Sequence, residues 1–228
     1  MSKKKWLLRL LFYPVFITLL MWMVFLIEFI FSLNFTEYGI QPRTQSGLRG
    51  VLFSPFIHSG LSHITNNTTS FFVLMLLLRI FYVKNYLRIF ILSLLLSGFL
   101  TWCFARPAYH IGMSGVIYAL ASFIFTKGFF SKNYKLIALS LTIVFIYGSM
   151  IWYVFPIDVS ISWEGHLAGL LSGIFLSFLF KNEINNSEKK SSDSHTTLFL
   201  RHFNDKGKFI ANLPFLDEDG NLINQEEE

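Results

Sequence analysis

Residues 163–180 open with Trp163-Glu164-Gly165-His166-Leu167-Ala168-Gly169, pass through Gly173 and close in Ile174-Phe175-Leu176-Ser177-Phe178-Leu179-Phe180. Apart from Glu164 and His166 the stretch carries no ionisable side chain, and its length approaches the ~20 apolar residues with which a helix crosses about 30 Å of hydrocarbon. His166, Gly169 and Gly173 fall at i, i+3 and i+7, so one stripe of such a helix carries all three. Gly169-x-x-x-Gly173 has the small-xxx-small spacing that lets membrane helices approach closely. A natural counterpart, Gly115-x-x-x-Ala119, stands in the apolar run at 114–130. If the two stripes pack, His166 and Ser114 lie at similar depth near one face of the membrane. The reading is therefore a bundle of membrane helices with polar residues gathered at one end.

The rest of the chain agrees. Of its 228 residues 53% are hydrophobic, 18% aromatic and only 14% charged, whereas an average globular domain carries about a quarter charged residues. Runs long enough to span occur at 10–33, 61–81, 86–104, 114–130, 136–155 and 163–180. The first follows Lys3, Lys4 and Lys5 like the head of a signal peptide. Its apolar stretch is too long for that and no small-residue cleavage site follows, so it reads as a retained anchor. The expected fold is all-α, a six-transmembrane-helix bundle over 1–181. A short polar C-terminal tail follows at 182–228. With Cys103 as its single cysteine, the chain is neither a disulfide scaffold nor a cysteine-built zinc protein.

The formal charge of +5 is unevenly placed. Residues 1–181 hold fourteen Lys/Arg against four Asp/Glu, and the tail holds five against ten. With the N-terminus in the cytoplasm and six alternating spans, sixteen basic residues fall on the cytoplasmic side. Only Arg43, Arg49 and Arg106 fall outside, as the positive-inside rule requires. Both termini are then cytoplasmic, in what reads as a bacterial inner membrane, and the charge records orientation rather than a nucleic-acid partner. In the tail, 182–197 is rich in Asn, Ser and Lys and reads as a flexible linker. Turn signals at Asn204-Asp205-Lys206-Gly207 and Asp217-Glu218-Asp219-Gly220 suggest one or two small hairpins over 198–228.

Strongly polar residues inside a span are costly, which makes each a candidate for function. They form three clusters, at the outer ends of spans two, four and six. His58 precedes the second span, and His63 and Asn67 share one face of it; taken alone they could simply cap a helix mouth. Gly112-Met113-Ser114-Gly115 opens the fourth, where free N–H groups at a helix start suit a developing oxyanion; packing glycines around a serine would explain it as often. His166 opens the sixth. Together they contain the parts of acyl transfer: a serine that needs a base, a histidine suited to that role near neutral pH, and donors for the tetrahedral oxyanion. Asp158 and Glu164 are the nearest carboxylates in sequence. Glu164 is two residues from His166 and does not share its helix face, so a Ser-His dyad without a carboxylate is expected.

In these motifs, His58-x4-His63-x3-Asn67, Gly112-Met113-Ser114-Gly115 with Tyr118-Ala119-Leu120, and His166-x2-Gly169-x3-Gly173, the chain resembles the rhomboid intramembrane serine proteases of the minimal six-span bacterial type. The resemblance covers about residues 8–181. It implies Ser114 as nucleophile and His166 as general base and then general acid. It implies an oxyanion hole of His63, Asn67 and the Ser114 backbone N–H, with Tyr118 stacked on His166 and His58 in a supporting position. Gly112, Gly115, Gly169 and Gly173 support the packing. Transmembrane segments of other proteins would be the substrates, the bilayer the medium, and no metal or organic cofactor is called for. Ile111 stands where many relatives have a small residue, and the first outer loop at 34–49 lacks the tryptophan-arginine pair of some members. Two other functions are compatible with a polar-ended bundle. A non-catalytic rhomboid-like retention factor would typically lack the serine or histidine, and a histidine-lined channel or carrier would need polar groups through the full membrane depth.

Overall fold

A computed structural model describes residues 3–180 together with Phe203, Lys208 and Phe209. Six long helices organise it: α1 (Lys3–Phe31), α2 (Leu61–Phe81), α3 (Tyr86–Phe104), α4 (Ser114–Phe129), α5 (Tyr134–Tyr147, prolonged by the 3-10 segment Gly148–Val154) and α6 (Trp163–Leu179). Among the described residues there is no strand, only the isolated antiparallel bridges Ile40–His110 and Phe203–Phe209. Among the described residues, four helices are long and apolar enough to cross a membrane: α1, α2, α3 and α5 with its extension. The other two runs read as spans are shorter. With 16 and 17 residues, α4 and α6 rise about 24 and 26 Å. Both begin beside a polar cavity, at Ser114 and after the Ser162 cap, and Ile117, Tyr118 and His166 within them also line it.

The fourth helix is central and packs against α2, α3, α5 and α6, while α1 leans on α2 and on the turn Ser54–Phe56. Sequence explains the placement. Every side chain from Val116 to Ile124 is buried, as expected for a helix without a polar face, and Ala119, Ala121 and Ser122 are small enough to admit neighbours on several sides. In lipid, helices associate through close packing and interhelical hydrogen bonds rather than hydrophobic gain. Both are present. The Ser122 hydroxyl donates to the Leu170 carbonyl (3.0 Å), joining α4 to α6. Ser140 donates to the Phe125 carbonyl (2.8 Å), joining α5 to α4. The Trp22 indole donates to Thr68 Oγ1 (3.0 Å), joining α1 to α2. Large apolar side chains such as Leu19, Phe29, Leu141, Phe145 and Phe178 point outward. Such a continuous apolar exterior fits lipid and not water.

Residues 32–60 form short helical turns that are fastened to the end of α3. The Arg43 guanidinium donates to the Ala105 (2.8 Å) and Cys103 (3.3 Å) carbonyls, and the Trp102 indole donates to the Thr44 carbonyl (2.8 Å). Ile40 and His110 exchange both backbone bonds at 2.9 Å. A tryptophan and an arginine thus do fasten this loop, drawn from two separate elements rather than from one motif. The chain divides into two compact units, Met1–Glu183 and Ile184–Glu228. The linker read at 182–197 lies outside the described residues, as does most of 198–228. Of the latter, the bridged rings of Phe203 and Phe209, 5.8 Å apart, are described.

Candidate active site

Ser114 is the first residue of α4, and the chain reaches it through Gly112 at φ +103°. That conformation is open to glycine and strained for other residues. Contact adds a second restriction: a Cβ at Gly112 would lie 2.6 Å from His63 Nε2 and 3.6 Å from Asn67 Nδ2. The backbone before the serine is therefore pressed against the α2 histidine and asparagine. The Gly112 N–H donates to the Ser54 carbonyl at 2.8 Å, which ties the turn to residues 32–60. As the opening residue of the helix, Ser114 has no intrahelical acceptor for its own N–H.

On α2, Asn67 Nδ2 donates to the His63 carbonyl (3.0 Å), which fixes the side-chain amide one turn below the histidine. His63 Nδ1 and Ser59 Oγ are 3.1 Å apart. With Ser59 donating, the ring proton resides on Nε2, the nitrogen facing Gly112. His58 packs edge-to-face on His63, 4.9 Å between centroids. It is almost wholly buried and lies near the Phe56 carbonyl at 3.3 Å. Burial, reinforced by the neighbouring His63, lowers the His58 pKa to about 4 despite that carbonyl, so it stands neutral.

On α6, His166 lies flat against Tyr118, centroids 4.3 Å apart and planes 10° apart. The Tyr118 hydroxyl donates to the Met150 carbonyl (2.7 Å). His166 Nδ1 is 2.8 Å from the Tyr153 carbonyl. A carbonyl only accepts, so Nδ1 carries the proton and Nε2 of the neutral ring keeps its lone pair. Below, the two small-residue stripes meet. A Cβ on Gly169 would collide with the Gly115 carbonyl and come within 2.9 Å of Tyr118 Cβ, and one on Gly173 would collide with the Ala119 carbonyl and the Ser122 hydroxyl. A Cβ on Gly115 would meet the Gly165 carbonyl at 3.3 Å.

Ser114, His166, His63, Asn67 and Tyr118 line one cavity of about 670 Å³, joined by Ser59, Asn66, Ser70 and Ile111. The Ser114 hydroxyl makes no hydrogen bond to His166 in this arrangement, among the described residues; catalytic bonds commonly tighten only with substrate in place. A smaller cavity of about 30 Å³ sits behind the serine, bordered by Ser54, Ser97, Thr101 and Ser162, a size that suits a single water.

Neither nearby carboxylate hydrogen-bonds His166. Asp158 accepts from the Ser160 amide (2.8 Å) and hydroxyl (2.7 Å), which lower its pKa. Glu164 is buried and faces Arg106: Oε1 is 3.7 Å from the guanidinium Nε and accepts from the Arg106 backbone N–H at 3.3 Å. The Tyr153 carbonyl occupies the place a carboxylate would take. Three features escaped sequence reading: that carbonyl, the Arg106–Glu164 pair, and His110, whose Nδ1 is 2.6 Å from Ser162 Oγ. A backbone acceptor has no sequence signature. His110 lies only four residues before Ser114, so its nearness in sequence was the available signal. Burial lowers the His110 pKa, with the Arg106 carbonyl and the Glu164 charge opposing.

The sequence matches the family model of the rhomboid domain over residues 45–183. It is also similar to uncharacterised proteins of Mycobacterium tuberculosis and Mycobacterium bovis, each 28% identical over 169 residues covering 70% of both chains. A similar protein of Mycobacterium leprae, also uncharacterised, is 27% identical over 170 residues, covering 70% of this chain and 67% of its own.

Proposed function

Since the chain belongs to the rhomboid family, in general one of intramembrane serine proteases, we propose that it is an active endopeptidase that cuts transmembrane segments near the outer membrane face with a Ser114–His166 dyad. The observation that carries this reading is the 2.8 Å contact between His166 Nδ1 and the Tyr153 carbonyl. With Nδ1–H held by the Tyr153 carbonyl, Nε2 is left as a base in the cavity that Ser114 also lines. In the proposed reaction Ser114 Oγ attacks the scissile carbonyl carbon while its proton passes to His166 Nε2. His63, Asn67 and the Ser114 N–H stabilise the resulting oxyanion. Collapse breaks the C–N bond, and His166 returns the proton to the leaving amine. Water then gives a proton to His166 Nε2 as its oxygen attacks the acyl ester; the C–Oγ bond breaks, His166 returns the proton to Ser114 Oγ, and the new carboxyl terminus is released.

The same reading takes all six helices as spans of a domain at 1–181, both termini as cytoplasmic, and 182–228 as a cytoplasmic tail. Substrates enter sideways from the lipid and unwind before reaching Ser114. Polar backbone exposed in that step is tolerated only in a protein-walled, water-filled cavity, which the polar lining of the site supplies. The test is cleavage of a model transmembrane substrate in liposomes by wild type, Ser114→Ala and His166→Ala. Both variants are expected to be inert, and a Ser114→Ala protein that cuts at the wild-type rate would overturn the proposal. A fluorophosphonate should label wild type at Ser114 in the presence of chelators.

A further inference from the structure

The nucleophile and the base stand on different helices, and nothing among the described residues bonds Ser114 to His166 directly. The packing of α4 on α6 holds them from one side, and the bonds between the loop before α4 and the start of α6 hold them from the other. Among the described residues, Arg106 and His110 carry the hydrogen bonds from that loop to residues 159–164. The Arg106 guanidinium donates to the Val159 (2.8 Å) and Ile161 (2.9 Å) carbonyls and faces Glu164, whose carboxylate also accepts the Arg106 backbone N–H. His110 Nε2 lies 3.1 Å from the Arg106 carbonyl. That acceptor requires the proton on Nε2, so Nδ1 of the neutral ring accepts from Ser162 Oγ–H at 2.6 Å. Ser162 is the N-cap of α6, and the same oxygen accepts the Gly165 N–H at 3.3 Å. Each hydrogen in this chain has one donor and one acceptor, and it ends one residue before His166.

We propose that Arg106, His110, Ser162 and Glu164 form a clasp that sets the distance and angle between Ser114 and His166. Arg106, His110 and Ser162 also border the cavity that Ser114 and His166 line; their part in the clasp is to position the dyad. Glu164 reinforces this assignment. It is 2% exposed, and a buried carboxylate is costly unless paired. The partner it has is on the serine's loop, not on its own helix. His110 also exchanges both backbone bonds with Ile40, so the clasp extends to the first outer loop. The groups facing His110 are Arg106 on its own loop, Glu164 on α6 and Ser162 at the α6 cap. Adding a proton at Nδ1 would remove the acceptor for the Ser162 hydroxyl and place a cation beside Arg106. The clasp is therefore closed with His110 neutral and is weakened in acid.

This inference rests on the proposed dyad. The experiment uses the full chain in liposomes, with wild type, Ser162→Ala, Ser162→Thr, His110→Ala and the double variant Ser162→Ala/His110→Ala. Three quantities are read at matched folded fraction by thermal melting: the fluorophosphonate labelling rate of Ser114, and kcat and KM for a transmembrane substrate. Ser162→Ala and His110→Ala should each lower labelling and kcat by about 10- to 100-fold, the scale of a displacement near 1 Å at reacting groups, with KM within about twofold. The double variant should be no worse than the poorer single, as for two ends of one bond, and Ser162→Thr should restore most of the rate. Labelling at the wild-type rate in both single variants, or losses that multiply in the double variant, would overturn the clasp and leave the dyad standing. A wild type that neither labels nor cleaves would overturn the dyad, and the clasp with it.

Discussion

Replacing Gly112 by alanine tests the site at its tightest point. The new methyl would lie 2.6 Å from His63 Nε2 and 2.8 Å from Cε1, where ordinary contact begins at 3.4 Å. The imidazole must therefore retreat by about 0.8 Å, the difference between those distances, or the turn must open. Holding alanine at φ +103° adds backbone strain of about 1–3 kcal/mol, which should appear as a lower melting temperature. The larger consequence is chemical. A donor aimed at an oxyanion loses most of its effect when displaced, and removal of such a donor costs about 10²–10³-fold in rate. Gly112→Ala should therefore cut a transmembrane substrate roughly 10²-fold more slowly than wild type, with Ser114 still present to react. The decisive comparison is with His63→Ala, which removes the ring the methyl would strike. If displacement of His63 is the cause, Gly112→Ala should cost little further activity in that background. Wild-type cleavage by Gly112→Ala, or a double variant whose loss is the product of the two single losses, would refute this account.

Gly169→Ala places a methyl on the Gly115 carbonyl and near Tyr118, so α4 and α6 must part. Overpacking of this kind costs about 1–3 kcal/mol, and a lowered thermal midpoint together with reduced cleavage is the expected result. Tyr118→Phe loses the hydroxyl bond to Met150 but keeps the ring against His166. It should retain most activity, whereas Tyr118→Ala should lose it, as measured by initial cleavage rates. His58 offers a pH test. Its folded pKa of about 4 lies below the ordinary 6.5, so the unfolded chain binds the proton more readily. Its contribution to stability is full above pH 6.5 and is lost as pH falls toward 4, by at most about 3 kcal/mol. His58→Asn should flatten the dependence of the melting temperature on pH between these limits.

The motifs and the helices that carry them were legible because membranes make sequence informative. A polar residue in an apolar run is costly, so His63, Asn67, Ser114 and His166 stood out against their surroundings. Glycine periodicity pointed to the α4–α6 contact for a related reason: backbones can touch only where Cβ atoms are missing, and Gly169 and Gly173 are missing them on the side that faces Gly115 and Ala119. Hydropathy was less decisive for length. It read 114–130 and 163–180 as full spans, but whether a polar helix start belongs to a loop or to a span depends on the cavity beside it.

Sequence by itself determined the membrane class, the family resemblance, and the candidate residues for acyl-transfer chemistry, since these follow from residue type and local period. Only the tertiary structure decided what surrounds them. It set the Tyr153 carbonyl on His166, turned Glu164 toward Arg106, and joined His110 to the cap of the helix that bears His166. Those are contacts between segments 13 to 58 residues apart, and one of them uses a backbone oxygen that every residue possesses. No local pattern encodes them, because their geometry exists only after the helices have packed.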